Sequence, residues 1–427
     1  MTDSASLDPH DDSTVGRVLA VAGTRVVLLV LGTAVSVVIA RALGPGGRGQ
    51  YAFAVAVAGT AVSLAHASVE QAQVYLTSTG TAVRQLASNA IALSAALGAA
   101  AVVAVSAASK LLDYPSAELT ADTPLLLALA AVPLNIAVLY LNNLLVLSGR
   151  TDLLNRGILL AGVAQCGLVM GAAAADRLTV TVVVAAWLLN AALPLAVSLP
   201  ALRPSPGAVS WALARQELHT GLRYHGGLAS LYLLMRVDVL LLAAMRSDAD
   251  VGLYALAVSL IELTNIATDA VATVVVRRQV TDSLADSATF TARVIGLTAL
   301  LAAAAAAALV LTGWLLIPTV YGEAFRGSVP ALVALAPGVV ALAAVRSAGG
   351  YLIRLDRPWT VTALAVGALG VNVVLNLLLI PGWGIVGAGV ATSIAYALLA
   401  TSHVTWMRRA AGIPPGAFRP VLPRRSA

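Results

Sequence analysis

Seven charged side chains lie well inside long apolar runs of this chain: Arg25, Glu70, Arg236, Asp238, Glu262, Asp269 and Arg346. Taking a charge out of water is costly, so each needs a partner or a task. An arginine that faces a cavity can grip a phosphate through two parallel hydrogen bonds. A carboxylate held away from water keeps its proton more tightly, which makes carriage of a proton or sodium feasible. Static ion pairs between neighbouring helices are the competing use of the same residues.

Spacing narrows the pairings. Arg25 and Glu70 fall at matching depth on consecutive runs, so they can pair, or Arg25 can face a cavity instead. Arg236 and Asp238 are two residues apart and point different ways on a helix. Glu262 is within reach of Arg236, and Asp269 lies seven residues further on nearly the same face, at the depth of Arg346. His66, one turn from Glu70, can relay a proton, although a packed histidine is the commoner finding. Asn135, Asn142, Asn143, Asn190, Asn265, Asn372 and Asn376 can meet sugar hydroxyls or fasten helices together. Pro133, Pro194 and Pro337 interrupt helical runs as bending points or tolerated kinks. Arg41 and Arg48 read as solvated charges of an outer loop that could meet released product.

The elements that carry these residues follow from composition. Hydrophobic residues make up 59% of the 427, and charged residues only 11%. A soluble chain of this size has too little polar surface to cover so much apolar area. The apolar runs are long and continuous, as membrane helices are, and lack the short alternating strands of a barrel. This excludes a soluble enzyme, a nucleic-acid binder and a disordered scaffold. The excess of basic residues sits at the ends of apolar runs, where it sets orientation. Cys166 is the only cysteine, so no internal disulfide can form. No GxxxxGK[ST] run and no Cys/His cluster appears, so neither ATP hydrolysis, nor a metal, nor a cofactor is expected.

Twelve spans are predicted, at 18–40, 52–76, 87–109, 124–147, 154–175, 178–200, 222–245, 251–275, 291–316, 328–352, 359–380 and 384–406. Residues 1–16 are polar and acidic and read as a disordered tail, and 409–427 as a basic tail. The large majority of basic residues fall on one side, among them Arg84, Arg150, Arg215, Arg277 and Arg408. That bias puts both termini in the cytoplasm.

The sequence also echoes itself. Gly49-Gln-Tyr51-Ala-Phe-Ala-Val55 opens the second span and Gly252-Leu-Tyr254-Ala-Leu-Ala-Val258 opens the eighth. Gly149-Arg150 and Asp356-Arg357 form a second, weaker echo. The expected plan is an N-lobe over 17–203, a cytoplasmic linker over 204–220 with a short interfacial helix at 211–218, and a C-lobe over 221–408. Such parallel repeats are a common transporter plan.

Three stretches resemble the Wzx-type oligosaccharide flippases of the multidrug/oligosaccharidyl-lipid/polysaccharide exporter superfamily. They are Gly23-Thr24 through Ala40-Arg-Ala-Leu-Gly-Pro45 with Gly49-Gln-Tyr51, then Arg236-Val-Asp238 through Leu242 with Val251-Gly-Leu-Tyr-Ala255, and finally Asn372 through Pro381 with Gly384 through Thr392. The resemblance covers nearly the whole chain in the right order. It implies an all-α polytopic membrane protein of 12 transmembrane helices in two six-helix lobes around a central cavity. The implied task is to move an undecaprenyl-pyrophosphate-linked oligosaccharide across the cell membrane, with no covalent chemistry on the cargo. Arg25, Arg236 and Arg346 would then bind the pyrophosphate. Glu70, Asp238, Glu262 and Asp269 would carry a coupling cation, proton or sodium, or form ion pairs. Expected partners are the lipid-linked oligosaccharide, membrane lipids and a polysaccharide polymerase complex, with no nucleic acid. Drug exporters share the superfamily, but those relatives usually carry an acidic residue in the first helix or a denser carboxylate cluster in the N-lobe, and span one here has Arg25 and no acid. Peptidoglycan-precursor flippases more often have fourteen spans. A membrane polymerase or ligase would need Arg or His in a large outer loop, and 110–123 holds neither.

Overall fold

A computed structural model describes residues 12–111, 123–264, 268, 271, 283–355 and 358–418. The described residues are helices and short connections. In chain order the helices are α1 (Asp12–Ala65), α2 (Val69–Ser78), α3 (Val83–Leu111), α4 (Thr123–Leu147), α5 (Thr151–Ala174), α6 (Val180–Leu202), α7 (Trp211–Leu234), α8 (Val237–Met245), α9 (Asp248–Glu262), α10 (Leu284–Leu316), α11 (Ser328–Arg354) and α12 (Pro358–Ala411).

Local chemistry fixes where these helices start. Ser247 and Ser283 each cap a helix by accepting from the backbone N–H three residues on, at Asp250 and Asp286. Their hydroxyls also donate to those carboxylates, at 3.0 and 2.6 Å. These Ser-x-x-Asp units satisfy donors that the first turn leaves free. Thr179 and Ser210 cap α6 and α7 in the same manner.

Two of the helices hold two membrane passes each. α1 turns at Gly44 (φ 65°, ψ −174°), where Pro45 restarts the helix, and α12 turns at Gly384 (φ 54°). Glycine takes these conformations without steric cost. Eight described helices are long and apolar enough to cross a membrane, or nine when α7 and α8 are one span bent by 47°. Dividing α1 and α12 at their glycines, and adding α9, whose continuation passes into residues not described, accounts for the twelve predicted spans. The fold is all-α and polytopic.

Three boundaries differ from expectation. Helix α1 begins at Asp12, inside the predicted tail. Residues 211–218 are not a separate interfacial helix in a linker but the first turns of α7, which runs on to Leu234. Asn89 on α3 explains this, because its amide bridges the Ser210 backbone N–H and carbonyl and also donates to Glu217, at 2.8 Å. The second span, predicted as continuous, is broken at His66–Ala67–Ser68. Ala67 and Ser68 both adopt φ of 49°, a left-handed conformation that costs non-glycine residues roughly 1–2 kcal/mol each. The freed backbone is satisfied from neighbours: Tyr140 donates to His66 O, His225 Nε2 lies 3.0 Å from Leu64 O, and Asn143 donates to Glu70 O.

The sequence echo has a structural counterpart. A Cβ on Gly49 would lie 1.8 Å from the Asp248 carbonyl oxygen, and a Cβ on Gly252 would lie 1.9 Å from the Pro45 carbonyl oxygen. Pro45 stands four residues before Gly49, and Asp248 four before Gly252. The repeated segments therefore touch each other through equivalent atoms, as a local two-fold axis requires. Only glycine allows backbones this close.

Candidate functional site

Two adjoining cavities lie between helices of the two halves. The larger, about 530 Å³, is lined by α1, α5, α6, α9 and Tyr321, with Arg48, Tyr51, Gln165, Trp187, Asn190 and Ser259 among its polar and aromatic members. The smaller, about 280 Å³, shares Arg48, Tyr51 and Ser259 and adds Tyr232, Arg236 and Glu262. The exposed Gly32 and Thr33 are part of the larger lining, so that space communicates with the surroundings along α1. At the Gly44 end the Gly49–Gly252 contact brings the backbones of α1 and α9 together. At the end bearing the 203–210 connection, Tyr232 approaches Gly59 and the rings of His66 and His225 meet edge-on at 5.1 Å.

Arg48 is the residue that the sequence reading misplaced. It is no solvated loop charge: only 6% exposed, it sits in the first turns of the arm of α1 that restarts at Pro45. Its Nη1 donates to the carbonyl and hydroxyl of Ser36, both at 3.0 Å, and Nη2 reaches Ser259 Oγ at 3.5 Å. Its Nε is buried with no partner. No carboxylate pairs with it among the described residues. The signal was present in the sequence, because Pro45 is a helix-starting residue and places Arg48 inside a helix. Arg41 is corrected too: it donates to the carbonyls of Thr319 and Val320, at 2.6 and 2.8 Å, where α10 ends. Arg246 does the same for Ile380 and Pro381 beside Gly384. Both are cations at helix C-termini, where the backbone field favours them.

The other candidates are distributed as follows. Arg236 pairs with Glu262 at 3.2 Å, each side chain about one-third exposed (33% and 32%), and both line the smaller cavity. Arg236 and Asp238 make no direct pair. Asp238, 2% exposed, accepts from Tyr254 at 2.6 Å, Thr392 at 2.9 Å and the Val239 N–H at 2.8 Å. Thr392 in turn accepts from Asn372, and Asn372 from Asn376, whose own Oδ1 is buried without a partner. Asp238 is thus the acid of a buried polar chain across α8, α9 and both arms of α12. A void of about 20 Å³, room for roughly one water, touches Asp238, Glu262, Thr392 and Tyr396.

Of the two uses open to Arg25, the pair with Glu70 is not formed among the described residues. Glu70 lies 3.2 Å from His66 Nδ1, one turn back, because the break at 66–68 turns α2 toward His66. Arg25 is exposed and stands one turn from Leu28 and Leu29, which line the larger cavity. Arg346 is half-buried on α11 with Tyr396 as an electrostatic neighbour, outside the two cavity linings. Asp269 and Asn265 lie outside the described residues. Asn135 and Asn376 donate to their own helices, and Asn143 joins α4 to α2. Among the described residues no group of three or more His, Cys, Asp or Glu is placed to hold a metal.

A guanidinium without a carboxylate, an ion pair and several amides thus surround the two cavities. Comparison with known proteins gives the family and the fold. Residues 38–330 match the model of a family described as polysaccharide biosynthesis protein. The chain belongs to that family. Among solved structures, lipid II flippase MurJ in an inward closed conformation superposes with a TM-score of 0.74 at 12% identity, covering 94% of this chain and 88% of that one. An inward-facing multidrug resistance MATE family transporter of the MOP superfamily gives 0.63 at 15% identity, covering 90% and 94%. A point mutant of the Vibrio cholerae MATE transporter VcmN gives 0.53 at 14%, covering 94% and 95%. At these identities the likeness is one of fold. No curated protein matches the chain in sequence.

Proposed function

We propose that this family member is a flippase that moves an undecaprenyl-pyrophosphate-linked oligosaccharide across the cytoplasmic membrane by alternating access, for cell-surface polysaccharide biosynthesis. Both termini would be cytoplasmic. The observation that carries the reading is Arg48, a buried guanidinium on the cavity wall without a carboxylate. A cation left so is stabilised by an anionic cargo, and a guanidinium on the cavity wall suits a pyrophosphate. Arg25 extends this positive path one turn toward the end bearing the 203–210 connection. Arg236 can join when Glu262 releases it.

Asp238 supports coupling to a proton or sodium. It is buried in a chain of neutral donors, so its charge depends on what it binds. Glu262, across the small void, links that chain to the cavity. A cation-coupled drug exporter is the weaker reading, because Arg48 repels cationic cargo. A polymerase complex is the natural recipient of the flipped product.

The test is leaflet accessibility of a lipid-linked oligosaccharide in proteoliposomes, comparing wild type with Arg25→Ala, Arg48→Ala and Arg236→Ala. Arg48→Ala should lose transport by at least about tenfold while inserting normally, the loss of one charge-assisted hydrogen bond. Absence of wild-type transport across several glycan donors would turn the assignment to drug export, tested by cation-gradient efflux.

A further inference from the structure

The wall of the larger cavity opposite Ser259 holds a second set of polar groups. Asn190 on α6 donates to Gln165 on α5, Nδ2 to Oε1, at 2.9 Å. Trp187 stands three residues before Asn190, on the same face of α6, and lines the same space. Gly162, one turn before Gln165, lets Leu28 of α1 come close; a Cβ there would lie 2.6 Å from Leu28 Cδ2. The small residue thus holds α5 against α1 and aims Gln165 inward.

Two amides that only fastened membrane helices would hide their remaining groups in the helix contact. These do not. After the Asn190–Gln165 bond, Gln165 Nε2 keeps its N–H donors and Asn190 Oδ1 keeps its lone pairs, both at half-buried residues facing the cavity. Exchanging both amide orientations leaves the same complement, one donor beside one acceptor. That pattern matches neighbouring hydroxyls of a sugar ring, one accepting from Gln165 and the next donating to Asn190. The indole of Trp187 supplies an apolar face with negative potential, against which the C–H face of a sugar can lie. Arg48 lines the same cavity from α1.

We propose that Trp187, Gln165 and Asn190 form a sugar-recognition subsite that reads the carbohydrate next to the pyrophosphate held at Arg48. This rests on the flippase reading and adds to it a residue set for glycan selectivity. The phosphate end supplies affinity common to every lipid-linked cargo, and the α5–α6 wall discriminates between glycans.

The experiment measures binding by the full chain in nanodiscs. The probes are undecaprenyl pyrophosphate without sugar and the same lipid bearing a short glycan that begins with a hexose, an N-acetylhexosamine or a deoxyhexose. Wild type should bind at least one glycan form more tightly than the sugar-free form. Trp187→Ala and Gln165→Leu should each weaken that form by about tenfold and leave the sugar-free form unchanged, which also reports that the variants are folded. Trp187→Phe should restore most of the loss, and Arg48→Val should weaken every probe. The subsite is refuted if wild type shows no preference for any glycan form, or if Trp187→Ala and Gln165→Leu weaken all probes equally, as a pure α5–α6 fastener would. If wild type binds none of the probes, the sugar-free lipid included, the flippase reading fails and the subsite with it.

Discussion

The Gly49–Gly252 contact makes the sharpest prediction. A methyl at Gly49 would lie 1.8 Å from the Asp248 carbonyl oxygen, where real Cβ atoms stay beyond 3.0 Å, so the helices must part by more than about 1 Å. Backbone on both sides leaves no flexible side chain to yield. Overpacking of this kind costs about 1–3 kcal/mol. The penalty falls only on states in which the contact forms. Gly49→Ala should therefore shift the population toward states open at the Gly44 end by about 5- to 150-fold. The readout is the labelling rate of Ala255→Cys, in the smaller cavity, by a membrane-impermeant maleimide, with Cys166→Ala removing the native thiol. Gly252→Ala should do the same, because a Cβ there meets the Pro45 oxygen at 1.9 Å. The double variant should do less than the sum, since helices parted by one methyl resist the second less. Unchanged labelling in both single variants, with normal insertion, would refute the idea that this crossing closes the cavity.

Three further outcomes follow from the same geometry. Arg236→Met should destabilise the protein by stranding Glu262, and adding Glu262→Gln should recover most of that. For a pair one-third exposed, a double-mutant cycle on unfolding in detergent should give a coupling of about 1–2 kcal/mol, between the exposed and buried extremes. Asp238→Asn keeps an oxygen for Tyr254 and Thr392, and the Val239 N–H, which loses Oδ1, retains the Arg236 carbonyl at 3.2 Å, so the variant should fold while transport stops responding to proton or sodium gradients. Asp238→Leu instead strands both hydroxyls, at about 1–3 kcal/mol each, and should show as a lowered melting temperature. Gly221→Ala places a Cβ 2.4 Å from the Ala67 carbonyl oxygen and should cost about 1–3 kcal/mol, read as lower thermal stability and faster labelling at the end bearing the 203–210 connection.

The sequence shows the helices clearly because apolar length and charge exclusion are properties of the runs themselves. The predicted spans lie on described helices, the second and the seventh each across a break, apart from the undescribed end of the eighth. The Arg236–Glu262 pair was within reach of reasoning, since both residues sit on consecutive spans at similar depth. What escaped depends on where backbones bend. The break at 66–68 carries no glycine or proline; it is held by Tyr140, Gly221 and His225, which are distant in sequence. That break gives Glu70 to His66 in place of Arg25. Likewise the partners of Asp238 arrive from α9 and α12, and no spacing rule reveals them. Nothing in the spacing of Trp187 and Gln165 marks the faces they share, which the cavity lining defines.

The repeat supplies an internal control on Arg48. Contact at Gly49 and Gly252 fixes the register of the two segments, so Arg48 corresponds to Val251, Tyr51 to Tyr254 and Gly59 to Glu262. Val251 is buried at 1% exposure and has no polar group to satisfy. The scaffold therefore closes as well with a valine at this position as with an arginine. Folding does not ask for the guanidinium, and its orphaned Nε shows that folding does not fully satisfy it. Arg48 has no carboxylate partner among the described residues, so replacing it by an apolar residue removes a desolvation cost and breaks no ion pair. Arg48→Val should accordingly insert normally and unfold no earlier than wild type. Ser259 still donates to the Ala255 carbonyl, at 2.7 Å, and Ser36 lines the cavity. Loss of anionic-lipid binding in that variant, at undiminished stability, would separate a residue kept for cargo from one kept for the fold. A clear drop in stability would instead mean that Arg48 holds Ser36 and Ser259 together for the architecture, and the binding argument would need a different cation.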